Sequence, residues 1–164
     1  MTAARQERKS RLVIVTIAVF LAIGLVRIAT GAATTEQVVV NRYTGLAIDG
    51  FDPVSYFVNA APKTGRAELE FRYSGAIWRF QNEGNRAAFA ADPSVYVPQF
   101  GGHDPIAVAR GAAAAGHPAL WLISDKRLYL FYSDEARAAF AKDPDSAIGA
   151  AERQWPEVQR TLAR

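Results

Sequence analysis

The chain has 164 residues, a length that holds one modest domain or one domain with a membrane anchor. Half of its residues are hydrophobic, which makes a packed core feasible, and the lack of cysteine excludes disulfides, thiolate nucleophiles and cysteine zinc sites. Residues 1–33 carry five Lys or Arg against one Glu, but residues 34–164 carry fourteen cations against fifteen anions, so we expect no nucleic-acid partner.

The N-terminal sequence MTAARQERKSRLVIVTIAVFLAIGLVRIATGAA places a basic head before an apolar run, residues 12–33. This run is as long as the roughly 20 residues that cross a bilayer, and Arg27 can snorkel to the interface. Because basic flanks stay in the cytoplasm, residues 1–33 are predicted to be a single-pass anchor in the inner (plasma) membrane, with the domain facing the periplasm or exterior. A signal peptide, cleaved near the small residues of IATGAA, is the alternative. Residues 34–44 are predicted to be a linker, and residues 45–164 one domain.

An internal repeat organises the exported domain. The sequence FRYSGAIWRFQNEGNRAAFAADP, residues 71–93, aligns without gaps on LISDKRLYLFYSDEARAAFAKDP, residues 122–144, at an offset of 51 residues. The alignment superimposes Phe89 on Phe140. It predicts two equivalent units in which both phenylalanines are buried.

Each copy has the pattern of a β-hairpin followed by a helix. Two runs rich in aromatic and branched residues flank a turn, at Ser74-Gly75 in the first copy and Asp125-Lys126 in the second. Asn82 and Ser133 then stand where N-caps are expected, and an Asp-Pro pair ends each helix. A unit of this size cannot bury its apolar face alone, so the predicted fold class is α+β, with two hairpin–helix repeats and a C-terminal helix sharing one core.

The segment GGHDP lies between the two copies and contains His103, one of two histidines in the chain. In a structural interpretation, the two glycines form a tight turn and Asp104 caps a helix over residues 105–115, with proline at its first position. His103 is then an exposed turn residue, and His117 lies in the loop before the strand ALWLIS.

A metal site is the alternative for the same segment. His103, Asp104 and His117 would supply two imidazoles and a carboxylate, ligands that suit copper(II) or zinc if the fold brings them together. A capping aspartate followed by proline needs no ligand to explain it, so the structural interpretation is preferred.

The last predicted helix starts near Asp145. Apolar residues recur along it at three- and four-residue steps, a stripe that would pack against the hairpins. The stripe consists of Ile148, Ala151, Trp155, Val158 and Leu162. Pro156 is expected to distort this helix locally.

Two motifs carry a resemblance to a known family. AIDGFDPVSYF, followed by FRYSGAIWRFQNEGNRAAFAADPSVYVPQFGG, resembles the YHS domain, with its Asp-Pro-Val opening, Tyr-x-Gly hairpin, Arg-x-x-Phe helix and Asp-Pro-x-x-Tyr ending. The resemblance covers residues 45–102, and a longer version of the family is expected to extend to the C-terminus. It implies a small module that binds heavy metals through cysteines.

The positions at which the family places its cysteines are Ser55, Gln81 and Asn85 in this chain. A hydroxyl and two amides are neutral and harder than thiolates, and they bind copper(I) or zinc weakly. The second repeat has Tyr132 and Ala136 at the matching places of the hairpin and helix. The resemblance therefore implies that the family's fold is kept and its metal site is lost.

Catalytic motifs are weak throughout the chain. A Ser-His-Asp set can be assembled, but no Gly-x-Ser-x-Gly elbow supports it; its members would be Ser55 or Ser133, His103, and Asp52 or Asp104. Asp49 and Asp52 could pair as acid and base, although Asp52-Pro53 is more typical of a turn. No phosphate-binding glycine loop occurs. We therefore predict that the chain is not an enzyme.

The aromatic residues between Phe51 and Tyr132 mostly alternate within the predicted strands, as half-buried sheet faces require. They are predicted to form the core, with a pocket for a flat apolar ligand as the alternative. The sequence as a whole predicts a non-catalytic, membrane-anchored, exported YHS-like binding or accessory module. The second hypothesis is a copper- or zinc-handling protein that uses His103, Asp104 and His117.

Overall fold

The computed structural model describes residues 37–162, which form four strands, six α-helices and two short 3₁₀ helices. In chain order the elements are a 3₁₀ helix at Ile48–Gly50, α1 (Ser55–Val58), β1 (Arg66–Tyr73), β2 (Ala76–Phe80), α2 (Glu83–Ala91), α3 (Pro93–Tyr96), a 3₁₀ helix at Gln99–Gly102, α4 (Pro105–Val108), β3 (His117–Ser124), β4 (Arg127–Phe131), α5 (Asp134–Lys142) and α6 (Pro144–Thr161). The predicted α+β class is confirmed for this part of the chain.

The two repeats have the same secondary structure. β1 pairs antiparallel with β2, and β3 pairs antiparallel with β4. The bounds of β3, β4 and α5 are those of β1, β2 and α2 shifted by 51 residues. Both hairpins turn through two residues with positive φ, Ser74-Gly75 and Asp125-Lys126, the geometry that matches the right-handed twist of paired strands.

Helix boundaries follow the predicted capping residues. The side chain of Asn82 accepts a hydrogen bond from the N–H of Asn85 at the start of α2, and Ser133 does the same for Ala136 at the start of α5. Each Asp-Pro pair ends one helix, as predicted, and also begins the next, because the aspartate caps it and proline occupies its first position.

Helix α6 begins at Pro144 and runs for 18 residues without interruption. Pro156 lies inside it, so the local distortion expected there does not break the helix. Ala151, Val158 and Leu162 of the predicted stripe are buried, and the stripe packs against the second hairpin as part of the core.

The two repeated phenylalanines, Phe89 and Phe140, belong to two different hydrophobic clusters of the core. Phe89 and Phe140 are both fully buried, which confirms the predicted equivalence. Phe89 belongs to the cluster that contains Trp78 and Phe80, and Phe140 to the one that contains Phe131. The expected single core is thus two adjoining clusters.

Strand β4 connects the two clusters because both of its faces are buried. Leu128 and Leu130 pack into the cluster of the first repeat, whereas Tyr129 and Phe131 pack into the cluster of the second. Successive side chains of a strand point to opposite faces, so β4 contributes to both copies at once. Neither repeat buries its apolar surface without this strand.

The predicted N-terminal anchor and the signal-peptide alternative, residues 1–33, lie outside the described residues. No helix within residues 37–162 has the length and apolar character that crossing a membrane requires. Part of the predicted linker contacts the domain: the N–H of Val39 donates to the carbonyl of Gly101 over 2.8 Å, and Val40 forms a β-bridge with Ala47.

Candidate functional site

The repeat extends further upstream than the gapless alignment indicates. Before α1, Ile48, Asp49 and Gly50 have successive φ values of 43°, 52° and 78°. Before α4, Phe100, Gly101 and Gly102 have 53°, 63° and 86°. Three successive left-handed residues are uncommon, so the second segment repeats the first at an offset of 52 residues. GHDPI, residues 102–106, is therefore the counterpart of GFDPV, residues 50–54.

In the first repeat, the aspartate that follows the left-handed segment is Asp52, and its side chain is fully buried. One carboxylate oxygen accepts the N–H of Val54 over 2.9 Å and so holds the turn that leads into the short helix α1, which has no side-chain cap of its own. The other accepts the N–H of Gln81 over 2.9 Å and the side-chain amide of Asn85 over 2.6 Å. The carboxylate thus connects the start of α1 to the end of the hairpin.

Asp104 makes the same connection in the second repeat and is 2% exposed. One oxygen accepts the N–H of Ile106 over 2.7 Å, which confirms the predicted cap of α4. The other accepts the N–H of Tyr132 over 2.9 Å, at the residue that follows β4. The side chain that corresponds to Asn85 is Ala136, so Asp104 lacks the amide contact of Asp52.

The positions where the family resemblance implies metal ligands lie around Asp52. The hydroxyl of Ser55 donates to the carbonyl of Asp52 over 2.7 Å and accepts the N–H of Lys63 over 3.0 Å. Gln81 and Asn85 contact the Asp52 carboxylate, as described above. The structure brings these three positions together, and a carboxylate with neutral hydrogen-bond donors occupies the space between them.

His103 is fully buried, so the expectation of an exposed turn residue is wrong. It occupies the position of Phe51 in the first repeat, and its ring centroid lies 5.8 Å from that of Trp155. Its backbone forms a β-bridge with Ala115, as Phe51 does with Thr64. The imidazole therefore fills a core position that an aromatic side chain fills in the first repeat.

The helix predicted over residues 105–115 is four residues long, ending at Val108. Residues 114–116 run extended instead: the N–H of Asp104 donates to the carbonyl of Ala114, and the N–H of Gly116 donates to the carbonyl of Gly102. These backbone pairings require an extended chain and override the helix propensity of the alanines.

His117 is exposed and begins β3 rather than lying in a loop before it. Its Nδ1 accepts the N–H of Ala119 over 3.1 Å. Both carboxylate oxygens of Asp104 already accept backbone N–H groups, and His103 is in the core. Within residues 37–162, no three His, Asp or Glu side chains form a group that could hold a metal ion. A site at His103, Asp104 and His117 stays a prediction.

The residues weighed for catalysis also have structural contacts. Asp49 is exposed, and its carboxylate accepts the side-chain amide of Asn41 over 3.2 Å. Ser133 caps α5. The buried hydroxyl of Tyr56 donates to the carbonyl of Pro118 over 3.0 Å, and burial raises the pKa of Tyr56 well above its usual range. Tyr56 is therefore a neutral contact between the repeats and not a general base.

The sequence contains a signal for the Asp52–Asp104 equivalence that the gapless comparison missed. The two acids are 52 residues apart and the hairpins are 51 apart, because the first copy has one residue more between its aspartate and its hairpin. Comparing GFDPV with GHDPI directly would have identified the pair. No family model matches the chain, and no curated protein or solved structure matches it.

Proposed function

We propose that the chain is a non-catalytic, membrane-anchored, exported binding or accessory module that resembles the YHS domain. The observation that supports this function best is the duplicated role of Asp52 and Asp104. Both acids are buried, and both are bonded through each oxygen to backbone N–H groups of their own repeat. A carboxylate used in this way holds the fold together and is not available to bind a substrate or a metal.

The placement in the membrane is a proposal from residues 12–33 and their basic flank. Residues 37–162 would face the periplasm or the exterior, in an inner (plasma) membrane. The alternative is a domain released into the periplasm after signal cleavage. Either placement agrees with a domain that lacks cysteine and therefore does not depend on disulfides for its stability.

Protease added to intact spheroplasts is expected to digest the domain, because the basic head keeps the N-terminus in the cytoplasm. The measurement is an immunoblot against a C-terminal tag, with a cytoplasmic protein as the protected control. Protection of the tag in intact spheroplasts would contradict the topology. A mature N-terminus near Thr34 would contradict only the anchor and favour the cleaved signal peptide.

The copper or zinc alternative is tested by metal analysis of the purified full chain. Under our proposal we expect no stoichiometric copper or zinc, with or without added metal. The exposed His117 provides the diagnostic variant, because His117→Ala leaves the core intact. One metal per chain that is lost in His117→Ala, and that dissociates below about pH 6.5 where imidazole takes up a proton, would establish the metal-handling function instead.

A further inference from the structure

A pocket of about 640 Å³ opens beside the turn of the first hairpin. Its lining includes Tyr73 and Trp78 of the hairpin, Val97 and Pro98 after α3, and Trp155 of α6. This volume falls within the range of roughly 300 to 1,000 Å³ that is typical of small-molecule sites. Aromatic walls of this kind favour an occupant that is flat and apolar.

The lining of the pocket is uncharged. None of its thirteen residues is Asp, Glu, Lys or Arg, in a chain where these residues make up 21% of the total. Its polar side chains can donate or accept hydrogen bonds without carrying charge, and they include the amides of Gln37 and Gln159 and the hydroxyls of Ser74 and Tyr73. The indole N–H of Trp78 already donates to the carbonyl of Tyr73. An ionised ligand would lose its hydration here without gaining a counter-charge.

The pocket lies close in sequence to the proposed anchor. Gln37 lines it, and residues 34–36 alone separate Gln37 from the end of the apolar run at Ala33. Four consecutive Cα steps span at most about 15 Å. In a chain anchored through residues 12–33, this linkage therefore keeps Gln37 within that distance of the end of the anchor.

We infer that this pocket binds the uncharged ring of a membrane-dissolved apolar molecule, with the amide of Gln159 and the hydroxyl of Ser74 meeting its polar atoms. The inference rests on the proposed membrane anchor, and it specifies what the binding module would bind. It assigns the ligand to the lipid phase, as opposed to the aqueous solution or the chain's own N-terminal residues.

The test uses the full chain in phosphatidylcholine vesicles that contain a benzophenone carrying a hexadecyloxy chain, a neutral photoreactive ring with one carbonyl acceptor. We expect illumination to label peptides of the pocket, at residues 73–78, 97–101 or 155–159, as read by mass spectrometry. Gln159→Glu is expected to reduce this labelling about tenfold, because it places a charge in an uncharged lining. Gln154→Glu, on the exposed face of the same helix, is the matched control and should label normally.

A second variant, Gln159→Trp, should also reduce labelling, because the larger side chain fills part of the pocket without adding charge. Circular dichroism of each variant establishes that it is folded. Labelling that is equal in Gln159→Glu and Gln154→Glu, or that is absent from the pocket peptides, would overturn the inference.

Carbonate extraction of the same vesicles reports separately on the anchor. A chain that resists extraction but does not label at the pocket overturns this inference and leaves the anchor intact. A chain that is extracted, and whose pocket is labelled when the methoxy analogue of the probe is added in solution without vesicles, overturns the anchor and with it the lipid source of the ligand.

Discussion

Replacing Phe89 with alanine is expected to lower the free energy of unfolding by about 3 to 5 kcal/mol. The side chain is fully buried, so the substitution removes apolar surface from the core and leaves a cavity that its neighbours fill only in part. Its ring packs against five others, those of Phe71, Tyr73, Trp78, Phe80 and Tyr96, at centroid distances of 5.1 to 6.5 Å. Rings held by so many neighbours are poorly placed to collapse into the space.

Phe140→Ala is expected to cost a similar amount, because Phe140 is also fully buried. Among residues 37–162, the rings that pack against it are those of Tyr129 and Phe131, fewer than around Phe89. We therefore expect Phe89→Ala to be the more destabilising of the two. Tyr43→Ala is the control: this side chain is 88% exposed, and its removal should change stability by less than about 0.5 kcal/mol.

The measurement for these variants is urea unfolding of the full chain, followed by the fluorescence of its three tryptophans. A loss below about 1 kcal/mol for either phenylalanine would contradict its role as the centre of a cluster. A large loss for Phe89 together with a negligible one for Phe140 would mean that the two repeats are not energetically equivalent.

The hairpins and their helices could be predicted because their signals are local. A two-residue turn such as Ser74-Gly75, a capping side chain such as Asn82 and a breaking pair such as Asp92-Pro93 act within a few residues of their own position. Since the second copy repeats these signals at a constant offset, each unit supports the assignment of the other.

The helix predicted over residues 105–115 ends early, at Val108, because of interactions between residues that are distant in sequence. Alanines 112–115 favour a helix locally, but backbone pairing with residues 102–104 extends the chain there. Burial of His103 has the same origin, because its position is set by that pairing and by packing against Trp155 of α6. The gathering of Ser55, Gln81 and Asn85 around Asp52 likewise depends on how α1 meets the hairpin.

The double contact of each buried aspartate also could not be predicted from spacing alone. The bond to the N–H two residues further on is local, and the motif Asp-Pro indicates it. The second oxygen of Asp52 bonds the N–H of Gln81, and that of Asp104 bonds the N–H of Tyr132, at residues 29 and 28 positions away. Only the folded structure places these donors beside the carboxylates.

Asp52→Ala and Asp104→Ala are expected to cost about 1.5 to 5 kcal/mol each. Each removes the acceptor of a backbone N–H two residues further on, a local bond that caps α4 at Asp104 and holds the turn before α1 at Asp52, worth about 0.5 to 2 kcal/mol. Each also leaves a distant backbone N–H without its acceptor, at about 1 to 3 kcal/mol. Asp52→Ala should lower the free energy of unfolding more than Asp104→Ala does, because it also leaves the side-chain amide of Asn85 without its hydrogen-bond acceptor. Asp92→Ala is the matched control. Asp92 caps α3 from an exposed position, and its loss should cost no more than a cap.

If either alanine variant fails to fold, Asp52→Asn and Asp104→Asn provide the same comparison, because asparagine keeps one acceptor oxygen and turns the other position into a donor. We expect each to retain part of the lost stability, measured by urea unfolding as above. If Asp104→Ala lowered the free energy of unfolding no more than Asp92→Ala does, this would contradict the proposal that both oxygens of Asp104 stabilise the fold. In that case Asp104 would act only as a cap, and its second oxygen would be available to the alternative metal site with His103 and His117.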